Sequence, residues 1–217
     1  MVDRGTHTEW RNNGQHILPV TKCYCCDGKY DIYPSHKIAD NQIFIGFDSL
    51  AEFICKHKTV VIDTFSGVFS DLLKNALDTI LSEKGFSAYW IFTAAYFKPG
   101  NEIRKLIQTY DGGDDPLFGK RCTLYIEDFF LPGALRSAIP DPDADICLII
   151  GPGASLAGGK GSLIYVDVPK NEIQFRSRAA SITNLGIDHP GDPREMYKRF
   201  YFIDRPVLNR ARRTESG

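Results

Sequence analysis

The residues best placed to handle a charged ligand sit where a strand runs into a helix. TVVIDT (Thr59 to Thr64) reads as a buried strand, and it passes through Gly67 into an amphipathic helix. Thr64, Ser66 and Ser70 offer hydroxyls around that junction, where unpaired backbone N–H groups at a helix start attract anions. A phosphate loop of the form G-x-x-x-x-G-K-[ST] would use the same position. With Gly67 as its second glycine, the first falls on Ile62, the lysine on Val68 and the hydroxyl residue on Phe69. The scaffold is present without the usual phosphate grip. Two roles stand for the hydroxyls, anion contact and capping of the helix, and capping is preferred.

Three other groups could do chemistry. GPGASLAGGKG (Gly151 to Gly161) follows a strand and carries five glycines and one lysine. Backbone around Gly151 and Gly153 could approach a phosphate, with Lys160 supplying charge; a mobile connector is the alternative. PKNEIQFRSRAASITNLG (Pro169 to Gly186) opens a helix at its proline. Arg176 and Arg178 lie two apart there and diverge, so they suit an anion or a solvated face rather than a tight fork. Glu127 and Asp128 could position a metal-bound phosphate or simply cap a turn, and the capping role is preferred. Cys23, Cys25 and Cys26 form C-x-C-C with His16 and His36 on either side, but the spacing lacks a second knuckle, so no metal site is assigned. Neither G-x-S-x-G nor H-E-x-x-H occurs, and no catalytic residue can be named.

The elements that would position these residues alternate. Asn41 to Phe47 reads as a strand and Asp48 as the cap of a helix over SLAEFICKHK, with His57 at its boundary. Val68, Phe69, Leu72, Leu73, Ala76, Leu77, Ile80 and Leu81 form the apolar stripe of a helix ended by Gly85. Ser87 to Thr93, Asp145 to Gly151 and Ser162 to Val168 read as strands, and GNEIRKLIQTY as a helix. TLYIEDFF through LPGALRSAI reads as a short strand followed by a helix. Apolar strands alternating with helices predict an α/β domain with a mostly parallel sheet in three layers. The expected organisation is an irregular arm over 1–28, the α/β domain over 29–210 and a flexible tail over 211–217, since the basic, aromatic end shows no closing element.

A length of 217 residues with 43% hydrophobic and 12% aromatic content is enough for one cored α/β domain. The formal net charge of −1 gives no general attraction to nucleic acid or to an acidic membrane. No apolar run approaches the roughly 20 residues of a membrane span, and the polar N-terminus lacks a signal-peptide centre. A cytoplasmic protein with reduced thiols is expected, with Cys55, Cys122 and Cys147 in apolar surroundings.

Two resemblances extend these expectations. DICLIIGPGASL followed by SLIYVDVPKNEIQFRSRA resembles the later part of uridine kinase-type nucleotide kinases. There a strand ends in glycine, and the next strand enters an arginine-bearing lid helix through V-D-V-P. YDIYPSHKI, VVIDTFSGVFSDLL, DDPLFGK with EDFF, NEIQFRSRAASITNLG and MYKRFYFIDRPVLNR resemble the N-terminal region of bacterial class I mannose-6-phosphate isomerase-like proteins, across most of Tyr30 to Arg210. In those proteins a cupin domain binds the metal and isomerises the sugar phosphate, and no such cupin is visible here. These resemblances imply a P-loop NTPase-like fold with a degenerate phosphate loop and an accessory, binding or regulatory role in sugar-phosphate metabolism. The implied ligand is a nucleotide or other small phosphorylated molecule, and the implied partner a cupin isomerase domain or a second copy of the chain. A divergent nucleoside or sugar kinase using Lys160 is the enzyme alternative, and a structural module docking onto a cupin is the third.

Overall fold

The computed structural model describes residues 38–115 and 117–215. The expected arm over 1–28, the Cys23–Cys26 cluster and most of KYDIYPSHKI lie outside them. The chain divides into a unit over Met1–Ile45 and a unit over Gly46–Gly217, and every helix and strand among the described residues lies in the second. The element order is α1 (Phe47–Ile54), β1 (Thr59–Thr64), α2 (Ser70–Glu83), β2 (Ala88–Phe92), α3 (Gly100–Ile107), β3 (Ile146–Gly151), β4 (Ser162–Val166), α4 (Lys170–Arg178), α5 (Pro193–Arg199) and α6 (Arg205–Glu215). Short 3₁₀ turns fill several connections, and a π-helical turn, Phe200–Asp204, joins α5 to α6.

The four strands form one all-parallel sheet in the order β2-β3-β1-β4. The β-branched run of β1 suits the centre of such a sheet, where both faces are covered. Val61 pairs with Ile149 of β3 on one side and Leu163 of β4 on the other. Alternate residues then serve different layers. Val60, Ile62, Ile146, Leu148 and Ile150 pack under α1 and α2, against Ala51, Ile54, Leu73, Leu77 and Leu81. Val61, Cys147, Ile149 and Ile91 meet Ala138 and Ala154 on the opposite face, where 3₁₀ turns stand in place of helices. A separate core gathers around Phe65 and Val168 just past the strand ends, built from Ile103, Ile107, Cys122, Ile173, Phe200 and Ile203, among others.

Four local expectations change. Asn41–Phe47 forms no strand: 38–46 is turn and irregular backbone, Ile45 is 90% exposed, and helix α1 already begins at Phe47 without a side-chain cap. TLYIEDFF is not a strand but runs into a 3₁₀ turn at Ile126–Phe129, fixed by Asp128 accepting from the Tyr125 N–H at 2.8 Å. The α2 stripe starts two residues late, because Val68 and Phe69 precede the helix and pack on the second core. The C-terminal run is helical from Pro193 to Glu215, so helix occupies 211–215 where a flexible tail is expected. It buries Met196, Phe200, Ile203, Val207 and Leu208. Gly85 does end α2, with φ +84° and the Phe86 N–H returning to the Leu81 carbonyl at 3.0 Å.

Candidate functional site

The loop from β1 to α2 is five residues, Phe65 to Phe69. Its start is tied to the sheet by the Phe65 N–H, which donates to the Val166 carbonyl at 2.8 Å, and by the Phe65 ring set edge-on to Phe200. Gly67 has φ +85°, a conformation that disfavours a side chain, and an added Cβ would lie 3.1 Å from Ile173 of α4. Its carbonyl accepts from Arg176 Nη1 at 2.5 Å. The same guanidinium reaches Glu172 at 3.1 Å and lies over the Phe69 ring at 4.1 Å. Arg176 therefore braces α4 against the loop, while Arg178 stands exposed on the same helix. The hydroxyls do not take the capping role. Phe69 holds the N-cap position, and no side chain caps α2. Thr64 is 1% exposed, and among the described residues its hydroxyl has no hydrogen-bond partner.

These residues border a cavity of 580 Å³ outside the carboxyl ends of β1, β2 and β3. That is where an open parallel sheet places ligands. Thr64, Ser66, Gly67, Ser70 and Gly151 all line it. So do Pro99 and Gly100, the N-cap and first residue of α3, which likewise has no side-chain cap. Two helix starts thus open onto one space. The far wall is Ser181–Asp188, containing Thr183 and Asn184. Among the described lining residues Lys98 is the cation, and its Nζ donates to the Asp128 carbonyl at 2.7 Å. Asp71 and Asp188 are the carboxylates, the latter hydrogen-bonded to the His189 ring at 2.6 Å.

The glycine-rich segment is built differently. Asp63, 5% exposed, accepts from the Gly153 N–H at 3.1 Å, the Ser155 N–H at 3.1 Å and the Ser155 hydroxyl at 2.6 Å. The amides that could cradle a phosphate are already held by a carboxylate of the chain itself. Burial pushes the Asp63 carboxyl above its usual range, and the Ser155 and Gly153 hydrogen bonds pull the other way. The remaining glycines allow close approach: a Cβ on Gly158 would lie 2.3 Å from the Arg136 carbonyl oxygen, and one on Gly161 2.5 Å from that of Thr59. The segment 152–161 is in effect a ten-residue crossover from β3 to β4, laid over β1, where such connections usually need a dozen or more residues and a helix. Lys160 comes out exposed beside the amino ends of the strands. The length of β1, about 16 Å at 3.3 Å per residue, separates it from the Gly67 junction.

Residues not singled out from sequence hold the far wall. Asp204 is fully buried, and one carboxylate oxygen accepts from Asn184 Nδ2 at 2.6 Å and the Leu185 N–H at 3.3 Å. Its other oxygen faces Arg199 Nε at 3.5 Å, and Arg199 Nη2 donates to the Leu185 carbonyl at 2.7 Å. Burial raises the Asp204 pKa against the opposing pull of Arg199. The only signals in the sequence are charged residues inside an apolar helical stripe, which become legible once α5 and α6 are known to be continuous. Asp128 serves as a turn cap, and His57 bonds the Ser162 hydroxyl at 2.9 Å, as a boundary residue would. Among the described residues no group of three His, Cys, Asp or Glu side chains is arranged to hold a metal. No helix among them is long and apolar enough to cross a membrane.

No curated protein and no solved structure matches the chain. A family model described as "Domain of unknown function (DUF8485)" matches residues 46–215, and its start coincides with the division of the chain at Gly46. The chain belongs to the DUF8485 family.

Proposed function

We propose that this domain binds a small phosphorylated molecule, a nucleotide or a sugar phosphate, in the cleft at the strand ends, and does not transfer its phosphoryl group. One observation carries the reading: two helix starts without side-chain caps share a 580 Å³ cavity with the buried, unpartnered hydroxyl of Thr64. Unpaired first-turn amides favour an anion, and the volume suits a small ligand. The hydroxyls of Ser66, Ser70 and Thr183 suit the polar remainder of a sugar-bearing ligand.

Where the cations lie supports the part of the reading without phosphoryl transfer. Val68 occupies the position of the phosphate-loop lysine, Lys160 stands at the amino ends of the strands, and Lys98 is engaged by a backbone carbonyl. The divergent-kinase alternative therefore has no cation ready at the cleft among the described residues. The resemblance to isomerase-like proteins favours a binding role beside sugar-phosphate metabolism, as an accessory to a cupin partner.

Thermal denaturation with mannose 6-phosphate, AMP and ATP tests this reading, since a ligand of the native state raises its apparent stability. At least one of the three should raise the Tm, and Thr64→Val should remove most of that rise while leaving the free protein as stable or more so. A flat response to all three sinks the binding reading, and ATP consumption in their presence sinks its non-catalytic part.

A further inference from the structure

The turn between α5 and α6 forms a second concavity with a different chemistry. Pro206 lies inside the helical run and has no N–H for the Phe202 carbonyl four residues earlier. The backbone answers with the π turn over Phe200–Asp204, where the Arg205 N–H bonds the Phe200 carbonyl five residues back. The Phe202 carbonyl finds an outside donor, the Cys122 N–H, at 2.8 Å. Arg210 of α6 returns to the same segment, donating from Nη2 to the Cys122 carbonyl at 3.2 Å and from Nη1 to the Leu124 carbonyl. Residues 121–124 are thereby stitched to the helix, and a pocket of 420 Å³ lies alongside.

Its walls carry Arg121, Arg205 and Arg210 with Tyr201, Phe202 and Asn209, and none of the described lining residues is acidic. Arg210 is held by carbonyls, and Arg205 lies 5.4 Å above the Tyr201 ring. Among the described residues neither Arg121, which is exposed, nor Arg205 forms an ion pair with a carboxylate. Three guanidinium groups around one hollow repel one another until an anion enters. Guanidinium forks match phosphate oxygens, and Tyr201, a residue 48% exposed, sets an aromatic ring beside Arg205 against which a planar group can pack.

We infer that this pocket is a second binding site, specific for a small molecule that joins a phosphate to a planar ring, as a mononucleotide does. It shares no lining residue with the cleft at the strand ends and does not depend on the function proposed there. Titration of the whole chain with AMP, followed through its backbone amide resonances, tests the assignment. AMP should shift Arg121, Tyr201 and Asn209, and both Arg121→Glu and Arg205→Ala should weaken that response at least tenfold. Arg121→Glu changes an exposed side chain, so its fold is expected to survive. Thr64→Val should leave this response intact. The assignment is overturned if AMP shifts only the cleft, around Ser66 and Gly67, a result that leaves the cleft reading standing. It is also overturned by unchanged affinity in both arginine variants, by inorganic phosphate binding as tightly as AMP, or by a polyglutamate peptide binding where AMP does not.

Discussion

The two segments that leave neighbouring strands, Phe65–Phe69 after β1 and Pro152–Gly161 after β3, invert the usual meaning of glycine. The first holds one glycine and opens onto the cleft beside two uncapped helix starts. The second, with Gly151, draws on five glycines, yet its Gly153 and Ser155 amides are held by Asp63. Its glycines answer a packing need, since a short crossover must touch the backbone of Arg136 and Thr59. The uncapped helix starts thus lie beside the segment with one glycine, and the number of glycines is a poor guide to where backbone amides stay unclaimed.

The largest expected loss falls at Asp63. Asp63→Ala should leave the Gly153 and Ser155 amides without their acceptor and cost about 3 kcal/mol or more in urea unfolding. The pH dependence has a definite sign. Because burial raises the native carboxyl above its unfolded value of 3.8, the folded state holds this proton more tightly. Its contribution to stability is then present below that unfolded value and declines as pH rises through the native one. The loss on mutation should measure larger at the acid end of the window than at neutral pH, and the opposite slope would mean that the hydrogen bonds outweigh burial.

Two glycine substitutions should differ in cost. Gly158→Ala meets a backbone oxygen at 2.3 Å and should cost more than Gly67→Ala, which meets the Ile173 side chain at 3.1 Å and bears mainly the strain of φ +85°. For Gly67→Ala roughly 1–2 kcal/mol is expected. Equal losses in parallel unfolding curves would contradict the packing role assigned to the crossover. Smallest of all, Lys160→Ala should change stability by no more than about 0.5 kcal/mol and leave any nucleotide-induced rise in Tm untouched. A lost rise would return Lys160 to the site.

Much of the fold is legible in the sequence where a continuous apolar run meets a clear stop. The runs of β1, β3 and β4 and the end of α2 at Gly85 are readable because sheet burial and helix termination are local signals. The opposite failure is Asn41–Phe47, which has the apolar content of a strand but no pairing partner among the described residues. IEDFF misleads for another reason: the Asp128 side chain satisfies the Tyr125 amide and so favours a turn over a ladder. Pro206 hides the long C-terminal helix, because a proline normally ends one, and here a π turn and an outside donor absorb it. In the cleft, the Gly67 side is readable from a strand, a glycine and a helix in succession. The Ser181–Asp188 side has no periodic pattern, and a buried carboxylate twenty residues later holds it in place.

The strand order carries a consequence for how the chain is made. β1 and β2 do not pair with each other; both wait for β3, which lies between them, and β1 waits for β4 as well. About eighty residues separate the end of β1 from the start of β3. At ribosomal speeds that is roughly 4 to 16 s during which the apolar edge of TVVIDT has no partner. Until ICLIIG emerges, α1 and α2 are the elements already made that can shield one face of that strand. The α1–β1–α2 segment is thus its own temporary escort, and β3 is the keystone on which the sheet closes.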